Sequence, residues 1–414
     1  MKKKIVIVGG GFAGINLARQ LDPDLFEVLL IDRLNYHQFQ PLLYQVATAQ
    51  IEPSSISFPI RYVCRKDKHI RIRLATAQRV DLERRELQTD IGAFAYDLLV
   101  LAMGGKTNFF GNESIRKHAI SLKSTADALR IRNHILQVFE TIVNQTEEQN
   151  EAFFNVVIVG GGPTGVELSG AFAEIKKYIL PRDFHRIDFS NLKIYLIEGS
   201  AHTLAAMSEK SQRESEAYLR RMGVEILTNT VVTSYDGETL QTNTGKSIQT
   251  KTLIWSAGIT ANAIDGLPAD SAGRGNRLRV NRINQLAGRD EVFVIGDMAL
   301  METPKYPNGH PQLANVAIHQ ASNLARNLKR LSEGKPVREF EYIDMGTMAT
   351  ISRNRSVVDL RSVHFRGFFA WVIWMFLHLM LILSVRNKLI IFINWAWAYA
   401  TKNTALRIIL KQDS

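Results

Sequence analysis

Glycine, having no side chain, lets a backbone come close to a phosphate, and this chain sets it twice in the pattern G-x-G-x-x-G. The first instance is Gly9, Gly11 and Gly14, with Phe12 and Ala13 before the last. The second is Gly160, Gly162 and Gly165, with Pro163 and Thr164 in the same places. In this motif the first glycine makes the tight turn, the second admits a pyrophosphate, and the third lets a helix pack close to a strand. An acid stands beyond each motif, able to accept hydrogen bonds from ribose hydroxyls: Asp32, followed by Arg33, and Glu198. The interval from Gly165 to Glu198 exceeds the usual ~20 residues, so an insertion at residues 178–188 is expected to be looped out.

The residues around these motifs read as the elements needed to hold them. Residues 4–8 are a short β-branched run, expected to be a buried parallel strand; a helical pattern follows the glycines, and residues 26–31 form a second strand ending at Asp32. The same order recurs with strands at 154–159 and 192–197 around a helix at 166–174. Strand, glycines, helix, strand and acid in register point to a dinucleotide, where a bare glycine turn would not need the rest. Two such folds imply two dinucleotides, or one and a degenerate copy.

Further strands run into glycine turns at 96–105, at 252–258 ending in Gly258, and at 291–297 ending in Gly296 and Asp297. Asp297 lies just past a strand end, where ligands gather in open α/β sheets. Residues 33–48 are aromatic and amide-rich without a clear period, which suggests a loop crossing the nucleotide site. Residues 121–148 and 311–331 are expected to be helical, with 145–150 a connector.

Length and composition bound the rest. A chain of 414 residues has room for two or three domains, and 46% hydrophobic with 22% charged residues describes a folded protein. The net charge of +11 suggests an anionic surface as partner. Neither zinc-finger spacing nor an RNA-binding aromatic signature accompanies it, so nucleic acid is not expected, and neither is a metal. Cys64 is the single cysteine, which excludes an internal disulfide and any CxxC redox pair and suits a reducing compartment. The start of the chain does not read as a signal peptide.

The tail changes character. Arg353, Arg355, Arg361 and Arg366 precede an apolar run at 367–385; Arg386 and Lys388 interrupt it, a second run follows at 389–400, and Lys402, Arg407 and Lys411 come after. Four of the five tryptophans lie here, at Trp371, Trp374, Trp395 and Trp397. Aromatic rings beside basic residues suit helices lying in a membrane interface, with a single span or a buried helix pair as the alternatives.

With these stretches placed, the sequence resembles the two-dinucleotide-binding flavoproteins. More closely, it is similar to type II NADH:quinone oxidoreductases, the single-chain, non-pumping respiratory dehydrogenases. The resemblance rests on residues 39–48, 160–170, 294–297 and 314–320 and on the tryptophan-rich tail. It implies an α/β fold of two Rossmann-like domains with a membrane-associating helical region. The FAD-binding domain would take residues 1–110 and 256–340, the NADH-binding domain 111–255, and the membrane-anchoring region 341–414. FAD would lie along Gly9, Gly11, Gly14 and Asp32, with Thr48 and Gly104 near the flavin and Asp297 on the ribityl-phosphate side. NADH would use Gly160, Gly162 and Gly165, with Glu198 on the adenosine ribose and repelling the 2′-phosphate of NADPH.

Glu167 matches the family's glutamate of nicotinamide or quinone handling, although the helix dipole alone also favours an acid in a first turn. Asn315 and Gln320 correspond to the family's quinone-side segment, with Asn315 where glutamine is usual. Lys388 would line the quinone mouth or meet lipid phosphates. Implied partners are a quinone, a membrane lipid surface on the cytoplasmic side, where the protein would be peripheral, and a second copy in a homodimer. Disulfide and sulfide:quinone relatives need paired cysteines. A reductase of a redox protein, or a slow flavin redox sensor, stays open as an alternative.

Overall fold

A computed structural model describes residues 1–144, 150–360, 363–403 and 406–409. Arg361, Lys411 and most of the connector expected at 145–150 lie outside the described residues. In chain order the elements used below begin with β1 (Lys3–Val8), α1 (Phe12–Gln20), β2 (Phe26–Asp32), α2 (Leu43–Ala47), β3 (Ile70–Leu74) and β4 (Leu98–Leu101). Next come α3 (Thr125–Asn144), β5 (Asn155–Val159), α4 (Pro163–Glu174), β6 (Lys193–Ile197), β7 (Val224–Leu227) and β8 (Thr252–Trp255). The last are β9 (Arg289–Val294), α5 (Ala314–Ser332), β10 (Thr347–Ser352), β11 (Arg355–Leu360), α6 (Gly367–Leu381) and α7 (Val385–Thr401).

The chain divides into two compact units. The first comprises Met1–Gln38, Phe58–Lys106 and Ile259–Ile343. Its sheet runs β9-β4-β1-β2-β3 with those strands parallel, and Gln285–Leu286 adds an antiparallel edge. From β1 the chain goes to β2 on one side and later to β4 on the other. The end of β1 is therefore a topological switch point, where a parallel sheet opens a crevice for a ligand. Ile5, Ile7, Val28 and Leu30 pack toward α1 and α5, while Val6, Val8, Leu99 and Leu101 fill the other face. Both faces are covered, which explains the continuous apolar runs.

The second unit comprises Phe39–Ser57, Thr107–Gly258 and Asp344–Ser414. Its parallel sheet places β5 between β6 and β8, with β7 and Ile120–Ser121 at the edges, and so repeats the switch point. A three-stranded antiparallel ribbon, β10, β11 and Val363–Arg366, then leads into α6 and α7.

Two expectations are corrected, and of the alternatives for the tail the single span is not borne out. Residues 33–48 are not a continuous loop: Tyr36–Gln38 is a strand, and α2 is a helix buried at every position. A helix buried all round shows no amphipathic period, so the sequence pattern could not display it. The segment around 178–188 is not simply looped out either, because α4 runs on through a π-turn at Ile175–Ile179 into Leu180–Asp183. Pro181 has no N–H to give to the carbonyl four residues back, which accounts for the widened turn. The apolar run at 367–385 breaks at Leu381, and among the described residues no helix is long and apolar enough to cross a membrane.

Candidate active site

The two glycine motifs fold into near copies. Gly9 and Gly160 take left-handed φ angles of 112° and 106°. A Cβ on Gly14 would fall 1.8 Å from the Gly9 carbonyl oxygen, and one on Gly165 1.9 Å from that of Gly160. Gly11 and Gly162 are the N-caps of α1 and α4, neither end has a side-chain cap, and a Cβ at either would meet nothing within 4 Å. Each helix therefore presents uncapped amides and its positive end to open space, which fits a pyrophosphate.

The acids are bound in matching fashion. Asp32 Oδ2 accepts the Gly10 N–H at 2.5 Å and Oδ1 accepts that of Leu34 at 2.7 Å. Burial raises the Asp32 pKa, and these backbone bonds oppose the rise. Glu198 Oε2 accepts the Gly161 N–H at 2.5 Å, while Oε1 accepts the N–H and hydroxyl of Ser200, both at 2.7 Å. A carboxylate offers about four lone-pair sites, so each acid keeps acceptor capacity for ribose hydroxyls.

The other expected cofactor residues are placed as follows. Phe12 meets the His37 ring edge-on at 4.9 Å, and Ala13 is buried under Gly296. Arg33 is exposed beside Asp32. Gly104, at φ 66°, has room for a Cβ. Asp297 gives its backbone carbonyl to Gln312 at 2.9 Å. Pro163 and Thr164 begin α4, and Gly258, at φ 73°, lies against the Phe110 ring. Thr48 is buried, its hydroxyl donating to the Tyr44 carbonyl at 2.8 Å. His37, which the sequence did not single out, is bound at 3.1 Å to the Gly10 carbonyl, and burial drives its pKa down to about 4.

Within the second unit, α4 carries Glu167 into a pocket whose open space, mouth included, is about 560 Å³. Buried Tyr44, Gln45, Thr350, Trp374, Trp395 and Glu174 line it together with half-buried Arg353 and exposed Tyr399. Glu167 is 7% exposed, and its carboxyl accepts the Thr350 N–H at 3.3 Å. Burial pushes its pKa up to about 8. The Thr350 amide opposes that shift, as does the Trp374 indole, which lies near without making a hydrogen bond of ordinary geometry. At neutral pH the group is therefore a carboxylic acid holding a proton. Glu174, two turns along, accepts the Arg353 N–H at 3.0 Å, and Arg353 donates to the Ala398 carbonyl at 2.6 Å.

The expected quinone residues are not among those lining this pocket. Gln320 is buried and accepts the Gly296 N–H at 2.7 Å; Asn315 is half-buried in the first turn of α5. Lys388 donates to the Met380 carbonyl at 3.2 Å, at the end of α6. Its neighbour Asn387 is the buried member of that stretch, donating to the Ser54 and Ser55 carbonyls at 2.8 and 3.0 Å.

Residues 3–321 match the family described as pyridine nucleotide-disulphide oxidoreductase. The chain is 33% identical over its whole length to the type II NADH:quinone oxidoreductase Ndh of Mycobacterium tuberculosis, covering 91% of that protein. The chain belongs to the type II NADH:quinone oxidoreductases. A second relative in that organism, NdhA, of the same description, is 32% identical over 96% of this chain and 87% of its own length. In fold, this type II enzyme is similar to NDH2 from Plasmodium falciparum, solved in complex with NADH, at a TM-score of 0.90 and 21% identity over 99% of this chain and all of that one. The sulfide:quinone oxidoreductase of Aquifex aeolicus is also similar, at a TM-score of 0.75 and 18% identity over 93% and 92% of the two chains. The type II enzyme lacks the cysteine pair that gives the broader family its name. Cys64 is buried, and that burial raises its thiol pKa to about 11, so it is not a thiolate at neutral pH.

Proposed function

We propose that this type II enzyme holds FAD at the first glycine cradle and NADH at the second, and reduces its quinone in the pocket beside Glu167. As a member of its family the chain is an oxidoreductase that uses NADH and FAD and passes electrons to a quinone. FAD supplies the redox relay, taking a hydride from NADH and giving up two electrons. The uncapped helix ends and the two acids bind and orient the dinucleotides. Glu198, held by Gly161 and Ser200, disfavours a 2′-phosphate and favours NADH.

One observation carries the pocket assignment: a buried carboxylic acid, protonated at neutral pH, lines an aromatic-walled cavity. Quinone reduction consumes protons, and an acid with its pKa near the working pH is suited to deliver one. Gln320, Asn315 and Lys388 then act indirectly, by holding the Gly296 turn, α5 and the end of α6. No proton is pumped across the membrane in the proposed reaction.

The protein is proposed to sit on a membrane surface without spanning it. On α6, Phe369, Val372, Phe376 and Met380 are exposed at helical spacing, and on α7 Val385, Leu389, Ile393 and Trp397 are exposed likewise. The opposite faces, through Trp374, Ile391 and Trp395, are buried. A contiguous apolar face of this kind marks a membrane or protein contact. The cytoplasmic face is the proposed side, from the charge and cysteine content, and a homodimer is the proposed assembly, from the resemblance.

The test is anaerobic. The detergent-purified protein is titrated with NADH and then with a short-chain quinone while its visible spectrum is recorded. A flavin band that bleaches with NADH and returns with quinone is the expected result. A bound flavin that NADH leaves oxidised would move the assignment to a sensor, and one re-oxidised only by a redox protein to a protein reductase.

A further inference from the structure

The polar end of the Glu167 pocket has a directional hydrogen-bond chain. The Trp395 indole nitrogen, which can only donate, gives its hydrogen to Gln45 Oε1 at 2.8 Å. That contact fixes which end of the Gln45 amide is oxygen, so the amide nitrogen faces Tyr44 and donates to its phenol oxygen at 2.9 Å. The phenol oxygen is therefore an acceptor in this chain, and its own hydrogen is left over. Among the described residues no acceptor takes it, although Tyr44 is only 4% exposed. The Trp374 indole N–H, also buried, lies near the Glu167 carboxyl without a hydrogen bond of ordinary geometry. Both side chains line the pocket with Glu167. Leaving the buried Tyr44 donor unpaired is unfavourable, which suits a ligand that brings an acceptor oxygen between aromatic walls.

We propose that Tyr44 donates its phenolic hydrogen bond to a carbonyl oxygen of the bound quinone, held in that orientation by Gln45 and Trp395. The assignment rests on the reading that this pocket receives the quinone. Tyr44 keeps its proton throughout: burial and the nearby Glu167 raise its pKa well above the ordinary value. It stabilises charge developing on that quinone oxygen as two electrons arrive from the reduced flavin. Of the two protons the quinone takes to become the hydroquinone, one comes from the reduced flavin and one from Glu167, which is left as the carboxylate. A fixed donor aimed at a developing oxyanion needs no reorganisation as the charge appears.

The experiment compares four variants for steady-state turnover of a short-chain quinone in detergent, with anaerobic bleaching of the flavin by NADH as control for fold and cofactor. Tyr44→Phe is expected to lower quinone kcat/KM by about 10- to 100-fold with bleaching intact. Trp395→Phe frees the Gln45 amide to turn its oxygen toward Tyr44 and is expected to lower it by about 3- to 10-fold. The double variant is expected to be no worse than Tyr44→Phe alone, because both changes act through one hydrogen bond. Ala398→Phe, which puts a ring into the pocket lining, is expected to abolish quinone turnover. Unchanged kcat/KM in Tyr44→Phe, or additive losses in the double variant, overturns the role of Tyr44. If Ala398→Phe still blocks the quinone, the pocket reading survives that failure; if it does not, the pocket reading falls as well. Should Tyr44→Phe lose its flavin, Trp395→Phe decides alone, and an unchanged kcat/KM there also overturns the proposal.

Discussion

The two dinucleotide folds agree closely at their phosphate cradles and differ in what lies behind them. Both have a left-handed first glycine, a third glycine against the carbonyl of the first, and an acid 2.5 Å from the amide between them. Behind the first cradle, α1 buries one face against α5 and leaves Arg19 and Gln20 in its last turn exposed. Behind the second, α4 is buried from Gly165 to Glu174, with β10 so close that a Cβ on Gly170 would fall 1.6 Å from the Ile351 carbonyl oxygen. A phosphate cradle is thus a part that can be repeated unchanged. Chemistry is added by the layer placed on the helix that follows it, which in the second unit encloses Glu167 and Glu174 and makes acids of ordinary type titrate abnormally.

The most damaging way to separate the two cradles is to add one methyl group to each in turn. Gly14→Ala is expected to yield protein without flavin, seen as loss of the visible band. Gly165→Ala should retain flavin but slow its anaerobic bleaching by NADH on the order of 100-fold, since relieving so close a contact displaces the helix that binds the phosphates. If both variants lose flavin, the assignment of one nucleotide to each cradle is wrong.

Glu167→Gln removes the proton but not the shape. Quinone kcat is expected to fall by about 100-fold, and the decline of wild-type activity as pH rises through about 8 should disappear. Stability follows the same group with a definite sign. The unfolded carboxyl ionises near its ordinary pKa of 4.5, whereas the folded one holds its proton to about 8. Between those values the folded state binds more protons, so its stability falls as pH rises, and above about 8 the full penalty of burying the charge is present. Thermal denaturation should therefore show Glu167→Gln more stable than wild type above pH 8 and little changed near pH 5.

The second unit's tail can be tested apart from its cradle. Phe369→Glu combined with Trp397→Glu should weaken sedimentation with lipid vesicles by roughly 10- to 100-fold, the equivalent of losing burial of a large side chain, and leave NADH bleaching of the flavin intact. Unchanged vesicle binding would remove the membrane from the proposal. The smallest effect is expected at the acid of the second cradle: Glu198→Gln should raise the NADH KM by about tenfold and narrow the preference over NADPH. An unchanged ratio would mean that Ser200 and the backbone, not the charge, set the selectivity.

Much of this protein was legible in the order of its residues. Gly9 to Asp32 and Gly160 to Glu198 work through contacts close in the chain and through steric rules that hold wherever the pattern occurs. The strands and helices holding them are apolar runs of ordinary period, and the fold class follows from their alternation. The helix α2 and the π-turn were not legible, because full burial erases an amphipathic period and a single proline can widen a helix as well as end it.

The pocket was less legible still. Glu167 could be named from the family resemblance, but its raised pKa comes from burial in the folded chain, against which the Thr350 amide and the Trp374 indole, far along the sequence, act in opposition. Gln45 and Tyr44 look like ordinary members of an amide-rich stretch until Trp395 reaches back to fix the direction of their hydrogen bonds. Residue type and local spacing determined where the nucleotides bind. Burial, and with it proton affinity and hydrogen-bond direction, belongs to groups distant in sequence and was decided only when the chain folded.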